Sequence, residues 1–98
     1  MSKKQEEGRF QENEGSIGDV SGTLKQNQQW VIYSGTTARP FRIILFGRIQ
    51  KTAAVQVHVD GNLVTTLTED ITATVVDGKS IKLHSKGSEP QVFKAYMQ

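Results

Sequence analysis

The chain has 98 residues, 36% of them hydrophobic and 7% aromatic, which is enough for one domain with a modest core and too little for a large internal ligand cavity. It has no cysteine, so a disulfide framework, a thiolate metal site and a cysteine nucleophile are all excluded. The net charge of +2 divides unevenly: residues 1–22 carry −2 and residues 23–98 carry +4.

Residues 1–22 read as an N-terminal arm, rich in Glu, Gln, Gly, Ser and Lys. Past the initiator Met its apolar residues are Phe10, Ile17 and Val20, too few to fold alone. Either the arm is a disordered tail, or it docks on a body, its own or a neighbour's, with these three as candidate anchors and its negative charge drawn to basic residues. The first residues, Met1-Ser2-Lys3-Lys4-Gln5-Glu6-Glu7, lack the apolar core of a signal peptide. No run approaches the ~18 apolar residues of a membrane span, and no membrane partner is expected.

The body, residues 23–98, is expected to be all-β: one antiparallel β-sandwich or jelly roll of about eight short strands. Thr23-Leu24-Lys25 reads as a first strand and Gln26-Asn27-Gln28 as a polar turn. Trp30-Val31-Ile32-Tyr33 follows, with Trp30 as a core or rim anchor. After the Thr36–Pro40 loop, Phe41 to Ile49 is the most apolar strand. With Phe41, Ile43 and Leu45 facing inward, its other face shows Arg42, Ile44, Phe46 and Arg48. A solvated face should not carry both Ile44 and Phe46, so these four residues are the candidate body interface, covered by a second sheet or another subunit.

Two Asp-Gly dipeptides organise the next stretch. Val55–Val59 runs through Asp60-Gly61 into Asn62–Leu67, and Thr72–Val76 runs through Asp77-Gly78 into Lys79–Leu83. Asp-Gly tolerates the positive φ of a type I′ turn, so both pairs are expected to close hairpins. Gln91 to Met97 forms a last strand.

No enzymatic chemistry is visible. Asp60 and Asp77 are consumed by turns, no serine sits in a Gly-x-Ser-x-Gly elbow, and no Gly-rich loop opens a helix. His58 and His84 face outward and can approach each other, but spacing suggests no third ligand, so they are expected to be unliganded and no metal or other cofactor is assigned. Arg39, Arg42, Arg48 and Lys51, interleaved with Phe41 and Phe46, form the strongest nucleic-acid signal. The few phenylalanines, the moderate charge and the lack of an RNP-like motif weigh against nucleic acid as the partner.

The arm up to Gly22, the strand entry Gln28-Gln29-Trp30-Val31-Ile32, and the stretch Val55-Gln56-Val57-His58-Val59-Asp60-Gly61-Asn62 resemble the endospore appendage (Ena-like) pilins of spore-forming bacilli. That resemblance implies a jelly roll whose N-terminal connector reaches into the next subunit of a fibre on the cell or spore surface. It implies copies of the same chain as partners, with an anchor or tip protein, and export without a classical signal. The cysteines that cross-link connectors in the best-known branch are missing, so subunits would be held by strand pairing and packing. The alternatives are a small β-barrel or sandwich that binds nucleic acid or glycan, and a phage structural protein.

Overall fold

The computed structural model describes residues 19–98, which form an all-β domain with no helix among them. Six strands make one antiparallel sheet: β1 (Val20–Leu24), β2 (Gln29–Phe46), β3 (Val55–Val59), β4 (Asn62–Leu67), β5 (Ala73–Ser85) and β6 (Gln91–Met97). Their order across the sheet is β1-β6-β2-β5-β3-β4, which leaves β1 and β4 at the edges.

Six strands stand where about eight were expected because two pairs of short runs are continuous. Trp30–Tyr33 and Phe41–Phe46 belong to β2, and the runs on either side of Asp77-Gly78 belong to β5. The long strands pair in two blocks, Gln29–Ser34 against Ser80–His84 and Arg39–Ile44 against Ala73–Gly78. Between the blocks β2 carries Gly35-Thr36-Thr37-Ala38 against Lys79 alone on β5. Excess chain on one strand bends it and raises its twist. The Tyr33 hydroxyl donates to the Thr37 carbonyl at 2.6 Å and ties this loop down.

The bend turns one sheet over a single core. Beyond the first block lie β3 and β4, and beyond the second lie β6 and β1. Trp30, from the first block, packs edge-on against Phe93 of β6, with ring centroids 5.1 Å apart and planes at 81°. Tyr33 and Phe41 meet across the bend at 5.6 Å. The fully buried side chains come from every strand: Leu24, Phe41, Ile43, Leu45, Val55, Val57, Leu67, Ile81, Leu83 and Phe93. In β2 a smaller irregularity between Val31 and Tyr33 inserts Ile32, so Ile32 and Tyr33 are both buried in sequence.

The two Asp-Gly dipeptides part company. Asp60 (φ 51°) and Gly61 (φ 85°) form the expected positive-φ turn between β3 and β4. Asp77 and Gly78 form no turn; they lie inside β5, opposite Pro40 and Arg39. Gly78 is there for room, because a Cβ would run into Val59 Cγ1. Asp60 Oδ1 accepts from the backbone N–H groups of Lys79 (2.9 Å) and Ser80 (3.0 Å), so the first dipeptide braces the strand just past the second.

Candidate functional site

Alternation sends Phe41, Ile43 and Leu45 into the core and leaves Arg42, Ile44 and Phe46 on the outward face of β2. The register supplies their neighbours. On β6, Tyr96, Lys94 and Val92 stand opposite Arg42, Ile44 and Phe46. On β5, Val75 and Ala73 stand opposite Arg42 and Ile44. Ile44 and Phe46 are therefore half-buried by neighbours on their own face rather than covered by a second layer of the described chain. Lys94 Nζ lies 4.9 Å above the Phe46 ring centroid, a cation held on an aromatic face. Val75 remains 61% exposed. Arg48, exposed, lies just beyond the end of β2.

Among the described residues two carboxylates border this patch: Asp77 stands opposite Pro40, two residues along β5 from Val75, and Asp19 immediately precedes Val20, the partner of Ala95. Asp60, Glu69, Asp70 and Glu89 lie in connections, Asp19 precedes β1, and Asp77 is the one acidic residue within a strand. Arg42, Lys94 and Arg48 form a cationic group interleaved with Phe46, Tyr96, Ile44 and Val92, with Asp77 at its margin.

The β2 half of this surface was legible in the sequence, whereas Lys94, Tyr96 and Val92 were not assigned to it. A signal existed in the alternation of Gln91-Val92-Phe93-Lys94-Ala95-Tyr96. It was obscured because the inward series begins with a polar residue, Gln91, which is buried. Its Oε1 accepts from Gln50 N at 3.0 Å and its Nε2 donates to the Phe46 carbonyl at 3.3 Å, so burial leaves its amide satisfied.

Of the candidate arm anchors, Phe10 and Ile17 lie outside the described residues. Val20 opens β1 and pairs with Ala95 of the same chain, so strand structure starts three residues before the expected body boundary at Thr23.

The other half of the sheet presents a second outward face with Gln56 and His58 of β3 and Lys82 and His84 of β5. The His58 and His84 rings approach to 6.4 Å between centroids, and His58 Nε2 lies 3.3 Å from Gln56 Oε1. Burial, reinforced by the positive fields of Lys86, His58 and Lys82, holds the His84 pKa below the ordinary value. No cluster of three or more His, Cys, Asp or Glu able to hold a metal ion occurs among the described residues.

At the edge of that half, β4 reads Asn62-Leu63-Val64-Thr65-Thr66-Leu67 and pairs on one side only, with β3. Leu63 and Val64 are 53% and 51% exposed. A register shift between Val57 and His58 sets Leu63 opposite His58 and leaves Val64 as the extra residue. Among the described residues, no helix is long and apolar enough to cross a membrane.

No family model matches this chain, and neither the curated proteins nor the solved structures yield a match.

Proposed function

We propose that this protein is a structural subunit of a self-assembling extracellular fibre, a jelly-roll-like sandwich that polymerises by adding a strand from one copy to the sheet of the next. The observation that carries this reading is the β4 edge. An edge strand offers a row of unpaired N–H and C=O groups, and soluble monomers blunt it with lysine, proline or a covering segment. β4 contains no charged residue and no proline, and it exposes two large aliphatic side chains, Leu63 and Val64. The opposite edge, Val20-Ser21-Gly22-Thr23-Leu24, is equally free of charge and proline.

An added strand gains main-chain hydrogen bonds along its length, and side chains dropping beside Leu63 and Val64 fix its register. Residues 10–19, which precede β1, hold Glu12, Glu14 and Asp19 with no basic residue, and Phe10 and Ile17 as apolar anchors. The basic body favours their encounter with a neighbouring copy, less so at high salt. Head-to-tail addition that does not close into a ring yields a filament. On this reading, which follows the sequence resemblance to endospore appendage pilins, such a fibre would stand on a cell or spore surface, with an anchor or tip protein as a further partner.

Negative-stain microscopy and sedimentation of the full chain across rising concentration test the reading. Filaments are expected, and the double substitution Leu63→Lys with Val64→Lys should leave a folded monomer. Deleting residues 1–18, which spares β1, should do the same. A full chain that stays monomeric, or lysine variants that polymerise normally, would overturn the proposal. Filaments from the truncated chain alone would remove the arm as donor and leave edge-to-edge pairing of β4 with β1.

A further inference from the structure

We infer that the outward face of β2 and β6 is a binding site for single-stranded nucleic acid, with Arg42, Lys94 and Arg48 holding phosphates and Tyr96 and Phe46 stacking on bases. The sequence of β2 alone weighed little in this direction, since its basic residues came with few aromatics. The register changes that balance by placing Lys94 and Tyr96, some fifty residues further along the chain, directly across from Ile44 and Arg42.

The arrangement has the parts such a site needs. Binding of single strands without sequence preference combines a cationic track for the backbone with aromatic faces for successive bases. Here Tyr96 stands opposite Arg42, and Phe46 stands four residues from Arg42 along β2. At about 3.3 Å per residue and about 4.8 Å between strands, the two aromatic positions lie roughly 14 Å apart, with Ile44 and Lys94 between them. A short run of nucleotides laid along the strand pair spans that distance. Lys94 already rests on the Phe46 ring, 4.9 Å from its centroid. A phosphate that draws the ammonium outward exposes the ring face beneath it for a base.

Charge narrows the choice of occupant. A second copy of the same face would set three cations, Arg42, Lys94 and Arg48, against their own kind, with Asp77 at the margin as the one opposing charge within a strand. The excess of cations favours an anionic partner, and the placing of each aromatic beside a cation across one strand gap favours bases joined by phosphates over a plain polyanion. The site also stands clear of the β4 edge, which lies at the far end of the strand order. Its neighbour on the other side is β1, so titration of the chain lacking residues 1–18 separates this site from the donor role of the arm.

The test is titration of the full chain into fluorescein-labelled oligo(dT) of twelve nucleotides, read by anisotropy between 50 and 300 mM NaCl, roughly the range over which phosphate contacts are screened. Saturable binding is expected, with a log–log salt slope of about −2 for three phosphate contacts to a single strand. Arg42→Gln and Lys94→Gln should each flatten the slope by about 0.7. Tyr96→Leu and Phe46→Leu, which keep an apolar side chain on the strand, should each weaken binding about tenfold. Lys82→Gln, on the other outward face, should change affinity little, and circular dichroism verifies that every variant is folded. Absence of saturable binding at 50 mM salt overturns the assignment. So does polyglutamate of equal charge binding as well as oligo(dT), indifference to both leucine variants, or a loss in Lys82→Gln equal to that in Arg42→Gln.

Discussion

Gly22 of β1 lies directly beneath the indole of Trp30, so closely that a Cβ at this position would meet the Cη2 and Cζ3 atoms of the ring. Trp30 cannot simply swing aside, because Phe93, the cross-strand partner of Gly22, packs edge-on against the same ring. One glycine thus sets how closely the β1–β6 edge and the first half of β2 approach across the core. Gly22→Ala is expected to cost about 1–3 kcal/mol by overpacking. For a domain of this size that is roughly a 5 °C loss in melting temperature per kcal/mol. Calorimetry of the single variant and of Gly22→Ala with Trp30→Leu checks the cause: the alanine should cost much less once the indole is gone.

Asp60 and Asp77 each precede a glycine, yet they should respond differently to substitution. Asp60→Ala removes the acceptor of two backbone N–H groups at the bend of β5 and is expected to cost about 1–2 kcal/mol. Asp77 is exposed within the strand, and Asp77→Ala should stay within about 0.5 kcal/mol. The glycines are both sensitive, for separate reasons. Gly61→Val forces a β-branched residue to φ near 85°, whereas Gly78→Ala pushes a methyl into Val59. Urea denaturation of the four variants separates the roles, and equal costs at Asp60 and Asp77 would contradict them.

This contrast marks where the sequence stops being legible. Period-two alternation placed Phe41, Ile43 and Leu45 inward and Arg42, Ile44 and Phe46 outward, and Asp60-Gly61 was a turn on local grounds. Asp77-Gly78 carries the same local signal, but its conformation is decided by pairing with Arg39 and Pro40 and by Val59 overhead, which no short window contains. The same long-range pairing merged four expected strands into β2 and β5. It also explains why only half of the cationic face was visible: Lys94 and Tyr96 reach it through a register with β2, not through sequence proximity.

Two buried polar side chains on the inner face make opposite predictions. Gln91 has both ends of its amide engaged, holding the turn after β2 through Gln50 N and the Phe46 carbonyl. Gln91→Leu orphans the Gln50 N–H and is expected to cost about 1–3 kcal/mol. Ser85 is just as buried, but its Oγ has no hydrogen-bond partner among the described residues. An unpaired buried hydroxyl opposes folding, so Ser85→Ala should be neutral or stabilise by up to about 1 kcal/mol. Destabilisation by Ser85→Ala comparable to that of Gln91→Leu would show that the hydroxyl is engaged.

The pH dependence of stability between 7 and 5 should carry the signature of His84. Its imidazole is partly withdrawn from water, and the other ionisable groups acting on it are Lys86, His58 and Lys82, all of which disfavour its protonation. Its pKa in the folded chain therefore lies below the 6.5 of an unperturbed histidine. Above that value both the folded and the unfolded chain hold it neutral, and the shift contributes nothing to the pH dependence. As the pH falls below 6.5 the unfolded chain takes up a proton that the folded chain resists, so stability declines with acidification. Partial exposure to solvent keeps the effect small. The urea midpoint should fall from pH 7 to pH 5 in the unmodified protein and fall less in His84→Gln, with Gln56 and the backbone pairing of β3 and β5 left in place. A midpoint equally steep in both proteins, or one that rises on acidification, would mean that the Lys82, Lys86 and His58 charges do not act on His84 across the strand pair.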